Sequence, residues 1–147
     1  MATSSFEEVL GRDGRLVYYN VGDSMMPLIR PGRDLLVIEG CDGGLRRLDV
    51  ALYRRYSGQY VLHRVLRVRR DGYVICGDNR WRLEFGITDR HVIGRLASVV
   101  RDGVELEMSD WRCRLYAHII CDLFPVRSLV LRARDGLRAL ARRCGRA

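Results

Sequence analysis

The chain has 147 residues, 48% of them hydrophobic, and a formal net charge of +8, which suits one compact domain. All 26 of its basic residues are arginine, so any mechanism that uses a lysine base or a phosphate-loop lysine is excluded. The five cysteines form no C-x-x-C pair, which predicts reduced thiols and neither a disulfide framework nor a zinc site. We therefore expect no metal and no other cofactor.

Turn signals and short apolar segments predict a mainly β fold. Ser4 or Ser5, each followed by a glutamate three positions on, predicts the cap of a short N-terminal helix. The Asp-Gly pairs at 13–14, 71–72 and 102–103 favour tight turns between antiparallel strands. The absence of an alternating βαβ pattern argues against a doubly wound sheet. The predicted strands are residues 15–19, 34–38, 49–54, 59–69, 72–76, 91–101 and 103–107.

The pattern becomes helical after about residue 109. Leu115, Ile119 and Leu123 are spaced four apart and predict one helix. Pro125 breaks or starts an element, and residues 126–143 predict a second helix that is cationic and amphipathic. The predicted organisation is a lead-in at 1–14, a β domain at 15–108 and a basic helical extension at 109–147.

Three segments contain residues that could carry chemistry. Ser24 lies between a predicted strand and a turn that contains a proline. His63 lies in the middle of the strand 59–69, and a neutral imidazole can take a proton from a serine hydroxyl near neutral pH. Asp78 belongs to a Gly-Asp-Asn turn and could orient the histidine. Taken singly, the three residues are more typical of a helix cap, a half-buried strand residue and a turn brace.

Taken together and in this order, the segments resemble the signal peptidase I and LexA-like serine peptidases. The resemblance covers roughly residues 15–101 and implies a β core in which Ser24 is the nucleophile that forms an acyl-enzyme. Bacterial members carry a lysine on the strand where this chain has His63, whereas the branch typified by the endoplasmic-reticulum enzymes carries a histidine. The resemblance therefore implies that His63 is the general base and then the general acid. The matching blocks are Gly22–Pro27, Leu48–Tyr53, His63–Val65, Gly77–Asn79 and Val92–Leu96.

The resemblance leaves the third catalytic group open. Asp78 is preferred slightly because its Gly-Asp-Asn block is intact. Glu84 is next, because the orienting carboxylate of the histidine branch can lie six residues further on, and Asp89 is third.

The region around the serine is implied to hold the substrate and the oxyanion. The Ser24 backbone N–H is one expected donor, and Gly22, Asp23 and Met25 are expected to border the same region. Gly22 stands where many relatives have a serine, so the second donor is not identified. A glycine there would let a substrate backbone or a strained turn approach closely.

The predicted function is a serine endopeptidase that cleaves an extended peptide or a leader-like segment, with small side chains near the cut and the peptide added along a strand edge. The alternative is a non-catalytic peptide-binding or docking module of a peptide-maturation complex that retains the fold. A DNA-binding regulator is disfavoured, because nothing before Ser24 could hold a helix-turn-helix.

Location and partners follow from the termini and the charge. The N-terminus has no basic start and no apolar core, and no run of about 18 apolar residues occurs, so we expect a soluble cytoplasmic protein without a signal peptide or spanning anchor. For the C-terminal basic helix, packing or partner binding is the first expectation. Peripheral contact with the inner membrane surface is the second. Nucleic-acid binding is the least favoured, because the segment lacks interleaved aromatic residues.

Overall fold

The computed structural model describes residues 5–144 of the chain. These residues form a mainly β protein with one short N-terminal helix and two C-terminal helices, which confirms the predicted class. A 3-10 turn, Asp89–His91, precedes the seventh strand. The elements are α1 (Phe6–Asp13), β1 (Arg15–Tyr19), β2 (Leu35–Gly40), β3 (Val50–Arg54), β4 (Tyr60–Arg69), β5 (Gly72–Cys76), β6 (Glu84–Ile87), β7 (Val92–Arg101), β8 (Val104–Glu107), α2 (Trp111–Asp122) and α3 (Phe124–Cys144).

The strands of the described chain form one antiparallel sheet in the order β1-β2-β7-β3-β4-β5-β6, and β8 pairs with the end of β7. Ala51 of β3 is directly opposite His63 of β4. Since side chains alternate between the two faces of a sheet, this register and that of β4, β5 and β6 place Tyr53, His63 and Glu84 on one face. Arg64, the next residue after His63, points to the opposite face.

The predicted and observed strands differ at β6, the last strand of the sheet order. The predicted strands agree with the observed ones to within two residues at each end, but β6 is absent from the prediction. It has four residues, lies at an edge of the sheet, and contains Gly86 in a left-handed conformation with φ +78°. A strand this short shows no clear alternation, so its pairing with β5 fixes its conformation.

The N-terminal helix begins at the predicted capping box. The Ser5 side chain accepts a hydrogen bond from the Glu8 backbone N–H at 3.2 Å, and the Glu8 carboxylate accepts one from the Ser5 N–H at 3.0 Å. Ser4, the alternative cap, lies outside the described residues. Gly14 ends the helix in a left-handed conformation with φ 68°.

A buried carboxylate anchors the chain just after the Ser24 turn. Asp34 is fully buried, and it accepts hydrogen bonds from the backbone N–H and guanidinium of Arg30 and from the guanidinium of Arg101 on β7. Burial opposes ionisation of Asp34, but the bonds from Arg101 and Arg30 outweigh it and hold its pKa well below the usual range. The segment that follows Ser24 is thereby fixed to the sheet.

The two C-terminal helices begin where the sequence places their signals. Asp110 caps α2 by accepting a hydrogen bond from the Arg112 N–H at 2.8 Å, and Pro125 lies in the first turn of α3. No helix within residues 5–144 is both long enough and apolar enough to cross a bilayer.

Candidate active site

Ser24 lies at the start of a tight turn between β1 and β2 and is partly exposed. The next side chain, Met25, is fully buried in the core together with Ile29, and the Ile29 N–H donates to the Met25 carbonyl at 3.0 Å. The Met26 N–H donates to the Asp23 carbonyl at 3.1 Å. The buried Met25 therefore fixes the turn from below and leaves the serine side chain near the surface.

Gly22 and Asp23, the two residues before the serine, are both exposed. The nearest atom to a Cβ built on Gly22 is Asn20 Oδ1 at 3.8 Å, an ordinary contact, so this turn does not need a glycine at position 22. No strained turn approaches Gly22 here, and the close approach of a substrate backbone stays a prediction. Asp23 forms an ion pair with Arg80 across the loop that follows β5.

Gly77 permits the closest approach in the site. A Cβ on Gly77 would lie 2.6 Å from the Ser24 carbonyl oxygen and 3.1 Å from His63 Nε2. The serine turn and the histidine ring thus both contact the bare Cα of this glycine. The separation of the Ser24 carbonyl oxygen and His63 Nε2 cannot exceed the sum of those two distances, so the fold brings the two predicted residues together.

Asn79 joins the loop after β5 to the serine turn. Its backbone N–H donates to the Ser24 carbonyl oxygen at 2.8 Å, and its side-chain Nδ2 donates to the Asp23 carbonyl at 3.2 Å. The Gly-Asp-Asn sequence therefore acts as a unit, in which the glycine makes room for the serine turn and the asparagine holds it.

His63 has its two ring nitrogens in different surroundings. Its side chain is 12% exposed, and Nε2 faces Gly77 and the serine turn. Nδ1 lies 3.3 Å from the Tyr53 hydroxyl and 3.9 Å from Glu84 Oε2. Within residues 5–144 no hydrogen bond joins the Ser24 hydroxyl to the His63 ring. Hydrogen bonds of this kind are often long in a free enzyme and shorten with substrate.

A chain of hydrogen bonds decides which nitrogen of His63 carries the proton. Arg55 donates to both oxygens of Glu84 at 2.7 Å, and the Tyr53 hydroxyl donates its proton to Glu84 Oε2 at 2.7 Å. The Tyr53 oxygen can then only accept from His63, so neutral His63 carries its proton on Nδ1. The lone pair of Nε2 is left facing the serine side of the site.

The pKa shifts of the hydrogen-bonded groups indicate a neutral histidine beside a charged carboxylate. Burial lowers the pKa of His63 to about 4, against an opposing attraction from Glu84 and with a smaller lowering by Arg55. Burial tends to raise the pKa of Glu84, but the hydrogen bonds from Arg55 and Tyr53 overcome this and lower it. At neutral pH the site therefore contains neutral His63 and ionised Glu84.

The two other carboxylates have different surroundings. Asp78 is buried, receives two hydrogen bonds of 2.7 Å from Arg64 and a third of 3.0 Å from the Tyr116 hydroxyl of α2. Arg64 points away from the His63 face, so the Asp78 carboxylate is held on that side. Asp89 accepts from the Tyr73 hydroxyl and from the Gly44 N–H. Of the three candidate carboxylates, the structure places Glu84 against His63 Nδ1.

An open cleft of about 560 Å³ borders the histidine. Glu84, the first residue of the edge strand β6, lines this cleft, so the cleft reaches the start of that strand. Its wall combines apolar surface with arginine side chains. The residues that line it are Arg55, His63, Arg80, Trp81, Arg82, Leu83, Glu84 and Asp135.

Tyr53 and Arg55 are the site residues that sequence reasoning missed. Tyr53 ends one of the blocks that carry the resemblance, and Ala51 lies opposite His63, so Tyr53 is its diagonal neighbour on the same face. In the sequence, alternation groups Ala51, Tyr53 and Arg55 on one face of the sheet. Only the register of β3 and β4 shows that this is the face of His63.

Comparison with known proteins identifies no family for this chain. No protein-family model, no curated protein and no solved structure matches this chain. The resemblance to the signal peptidase and LexA-like enzymes therefore stays a prediction from the motifs. Support for a function comes from the arrangement of the side chains.

The Arg64–Asp78 pair gives the first testable prediction. Asp78→Ala leaves a buried guanidinium without its carboxylate and should lower the free energy of unfolding by about 3–5 kcal/mol. The control is Asp23→Ala, which breaks an exposed pair with Arg80 and should cost less than about 1 kcal/mol. Urea denaturation measures both. Equal losses for the two variants would contradict a structural role for Asp78.

Gly77→Ala tests the close approach of the serine turn. The new Cβ overlaps the Ser24 carbonyl oxygen, so the turn must move, at a cost of about 1–3 kcal/mol in the free energy of unfolding. Gly22→Ala is the matched control in the same region; it has room for a Cβ and should change stability by less than about 0.5 kcal/mol. Thermal unfolding compares the pair, and a Gly77→Ala protein as stable as the wild type would rule out the contact.

Proposed function

We propose that this chain is a serine endopeptidase of the signal peptidase I and LexA-like type, in which Ser24 is the nucleophile and His63 the general base. The observation that carries the proposal is the orientation of His63. Its Nδ1 faces Tyr53 and Glu84, and its Nε2 faces the serine turn. Nucleophilic catalysis by serine needs this order of hydroxyl, base and orienting group.

The proposed reaction has two halves, acylation and deacylation, and His63 acts as base and then as acid in each. His63 Nε2 takes the hydroxyl proton of Ser24 while Oγ attacks the carbonyl carbon of the peptide. His63 then gives that proton to the leaving amine, the C–N bond breaks, and an acyl-enzyme remains. A water molecule then gives a proton to His63 Nε2 and attacks the ester carbon. The bond from that carbon to Ser24 Oγ breaks, His63 returns the proton to Oγ, and the acid is released.

Two features stabilise the charges that develop. Ionised Glu84 attracts the imidazolium formed at His63, directly and through the Tyr53 hydroxyl. The backbone N–H of Ser24, a half-buried residue, donates no hydrogen bond within residues 5–144, and we assign it as a donor to the oxyanion on the attacked carbonyl. We assign Tyr53, Glu84 and Arg55 as positioning residues, because they act on the reaction through His63.

The proposed substrate is an extended peptide or a leader-like segment that lies along the cleft beside β6. An edge strand offers unpaired backbone groups to such a peptide. Trp81 and Leu83 supply apolar contact in the cleft, whereas Arg82 supplies a positive charge. This combination suits a peptide that has both apolar and acidic side chains.

A second candidate is a peptide-binding module that does not cleave. The observation in its favour is that the Ser24 hydroxyl and His63 are not hydrogen-bonded to each other within the described residues. The two candidates share the cleft and differ only in acylation of the serine, so covalent labelling separates them.

Acylation of Ser24 is the direct test. The full-length protein, treated with an N-acyl-alanine active ester, should gain one acyl group, and Ser24→Ala should lose it entirely. Ser57→Ala, which removes an exposed serine from the turn between β3 and β4, is the control and should be labelled at the wild-type rate. Intact mass spectrometry reads the result. Equal labelling of Ser24→Ala and wild type would refute the nucleophile, and no labelling of either would favour the binding module.

The pH dependence of acylation tests His63 and Glu84. Protonated His63 cannot act as a base, and it forms below its pKa of about 4, so the rate should fall as the pH drops through about 4 and be level from roughly pH 5 upward. Glu84→Gln removes the attraction that raises this pKa. The midpoint should therefore move to lower pH, and the plateau rate should fall by at least about tenfold.

The control for this experiment is Glu39→Gln, a glutamate on β2 whose carboxylate lies 3.9 Å from Arg15. It should leave both the midpoint and the plateau unchanged. A Glu84→Gln protein with a lower rate but an unmoved midpoint would indicate that Glu84 only supports the fold.

A further inference from the structure

The long C-terminal helix α3 contacts the rest of the protein through its polar side. Arg127 Nη1 donates to three carbonyl oxygens of the loop after β5, those of Gly77, Asp78 and Arg80, at 3.2, 2.6 and 2.8 Å. Further along α3, Arg134 donates to the Asn79 side chain at 2.7 Å. Charged side chains thus form the inner surface of this helix, the reverse of an ordinary amphipathic helix packed on a core.

The apolar side of α3 is left in solvent. No residue of this helix is buried, and five of its large apolar side chains are between 58% and 67% exposed, whereas Phe124 and Leu131 are half-buried. Residues 126, 130, 133, 137 and 140 follow the three-and-four spacing of a single helix face. We call this face the α3 stripe. Its large members are Val126, Leu129, Val130, Leu137 and Leu140.

Exposed arginines border the α3 stripe along one side. At 100° per residue, Arg132 and Arg143 lie roughly 90–110° from the centre of the stripe, whereas Arg138 and Arg142 lie toward the opposite side of the helix. Asp135 is the one acidic residue within the helix, and it accepts a hydrogen bond from the Trp81 indole. The outer half of α3 therefore presents apolar surface beside a cationic border.

We propose that the α3 stripe docks the protein on the surface of an anionic lipid bilayer. In that position the leucines and valines lie among the acyl chains, and the long arginine side chains reach the anionic headgroups. A second copy of this chain would bring its own arginine border to the same surface. Nucleic acid would satisfy the arginines and leave the apolar stripe in water. An anionic bilayer complements both parts of the surface.

The proposal also predicts where the bilayer lies relative to the cleft. Asp135 of α3 and Trp81, which it binds, both line the cleft beside His63. Arg132 of the same helix stacks on Trp81, with the guanidinium carbon 4.7 Å from the ring centroid. A bilayer on the outer side of α3 therefore lies next to the cleft. The docking itself does not depend on the proposed peptidase activity.

Vesicle binding tests the proposal without any activity measurement. The full-length protein is sedimented with vesicles of phosphatidylcholine and phosphatidylglycerol in equal parts, and with vesicles of phosphatidylcholine alone. Binding should occur to the anionic vesicles, weaken as salt is added, and be at least about tenfold weaker to the neutral ones. No binding to anionic vesicles would overturn the proposal.

Two pairs of substitutions separate the apolar and charged contributions. Val130→Asn with Leu137→Asn should weaken binding by at least about tenfold, and Arg132→Gln with Arg143→Gln by roughly fivefold per arginine. The matched control is Val21→Asn with Val104→Asn, which changes two exposed valines outside α3 and should leave binding unchanged. Unfolding temperatures show that each variant is folded.

Three results would overturn the docking surface. The first is equal vesicle binding by the stripe variant and the control. The second is a dimer, measured by analytical ultracentrifugation in the absence of lipid, that the stripe variant dissociates, because the occupant would then be a second copy. The third is binding that the arginine substitutions abolish and the stripe substitutions leave intact, because this is adsorption by charge alone.

Discussion

The Ser24 carbonyl oxygen fits against Gly77 because the glycine has no side chain, and the rest of the site depends on this contact. The Asn79 N–H then holds the same oxygen at 2.8 Å. Any larger residue at position 77 would separate the serine turn from the His63 ring, which packs against the same Cα. Two arginines bind the loop after β5, to which Gly77 and Asn79 belong. Arg64 of β4 binds the Asp78 carboxylate, and Arg127 of α3 binds carbonyl oxygens of the loop.

The alternation of side chains in β4 separates the structural ion pair from the site. His63 and Arg64 are neighbours in the chain and point to opposite faces of the sheet. On one face Arg64 forms a buried ion pair with Asp78. On the other face His63 is linked to Glu84 by hydrogen bonds through the Tyr53 hydroxyl. A buried guanidinium needs its carboxylate, so Asp78 is committed to Arg64. The carboxylate nearest His63 comes from β6 instead.

The fold class, seven of the eight strands and the three helices follow from local patterns, because apolar strands and Asp-Gly turns are signals within a few residues. The site residues were predictable only in part. Ser24 and His63 stand in recognisable blocks, but the choice between Asp78 and Glu84 depends on which face each reaches. The shift in the pairing of β3 with β7 at Tyr53, and the short strand β6, are long-range effects that no local pattern contains.

The helix α3 shows the same division between pattern and context. Its sequence predicts an amphipathic helix, and a helix of that kind ordinarily turns its apolar side inward. Here the loop after β5 presents backbone carbonyl oxygens, which need donors, and Arg127 supplies them. Satisfying that loop rotates the polar side of α3 toward the protein and leaves the leucines and valines outside. The loop after β5 therefore contacts the serine turn through Gly77 and Asn79 and the polar side of α3 through its carbonyl oxygens.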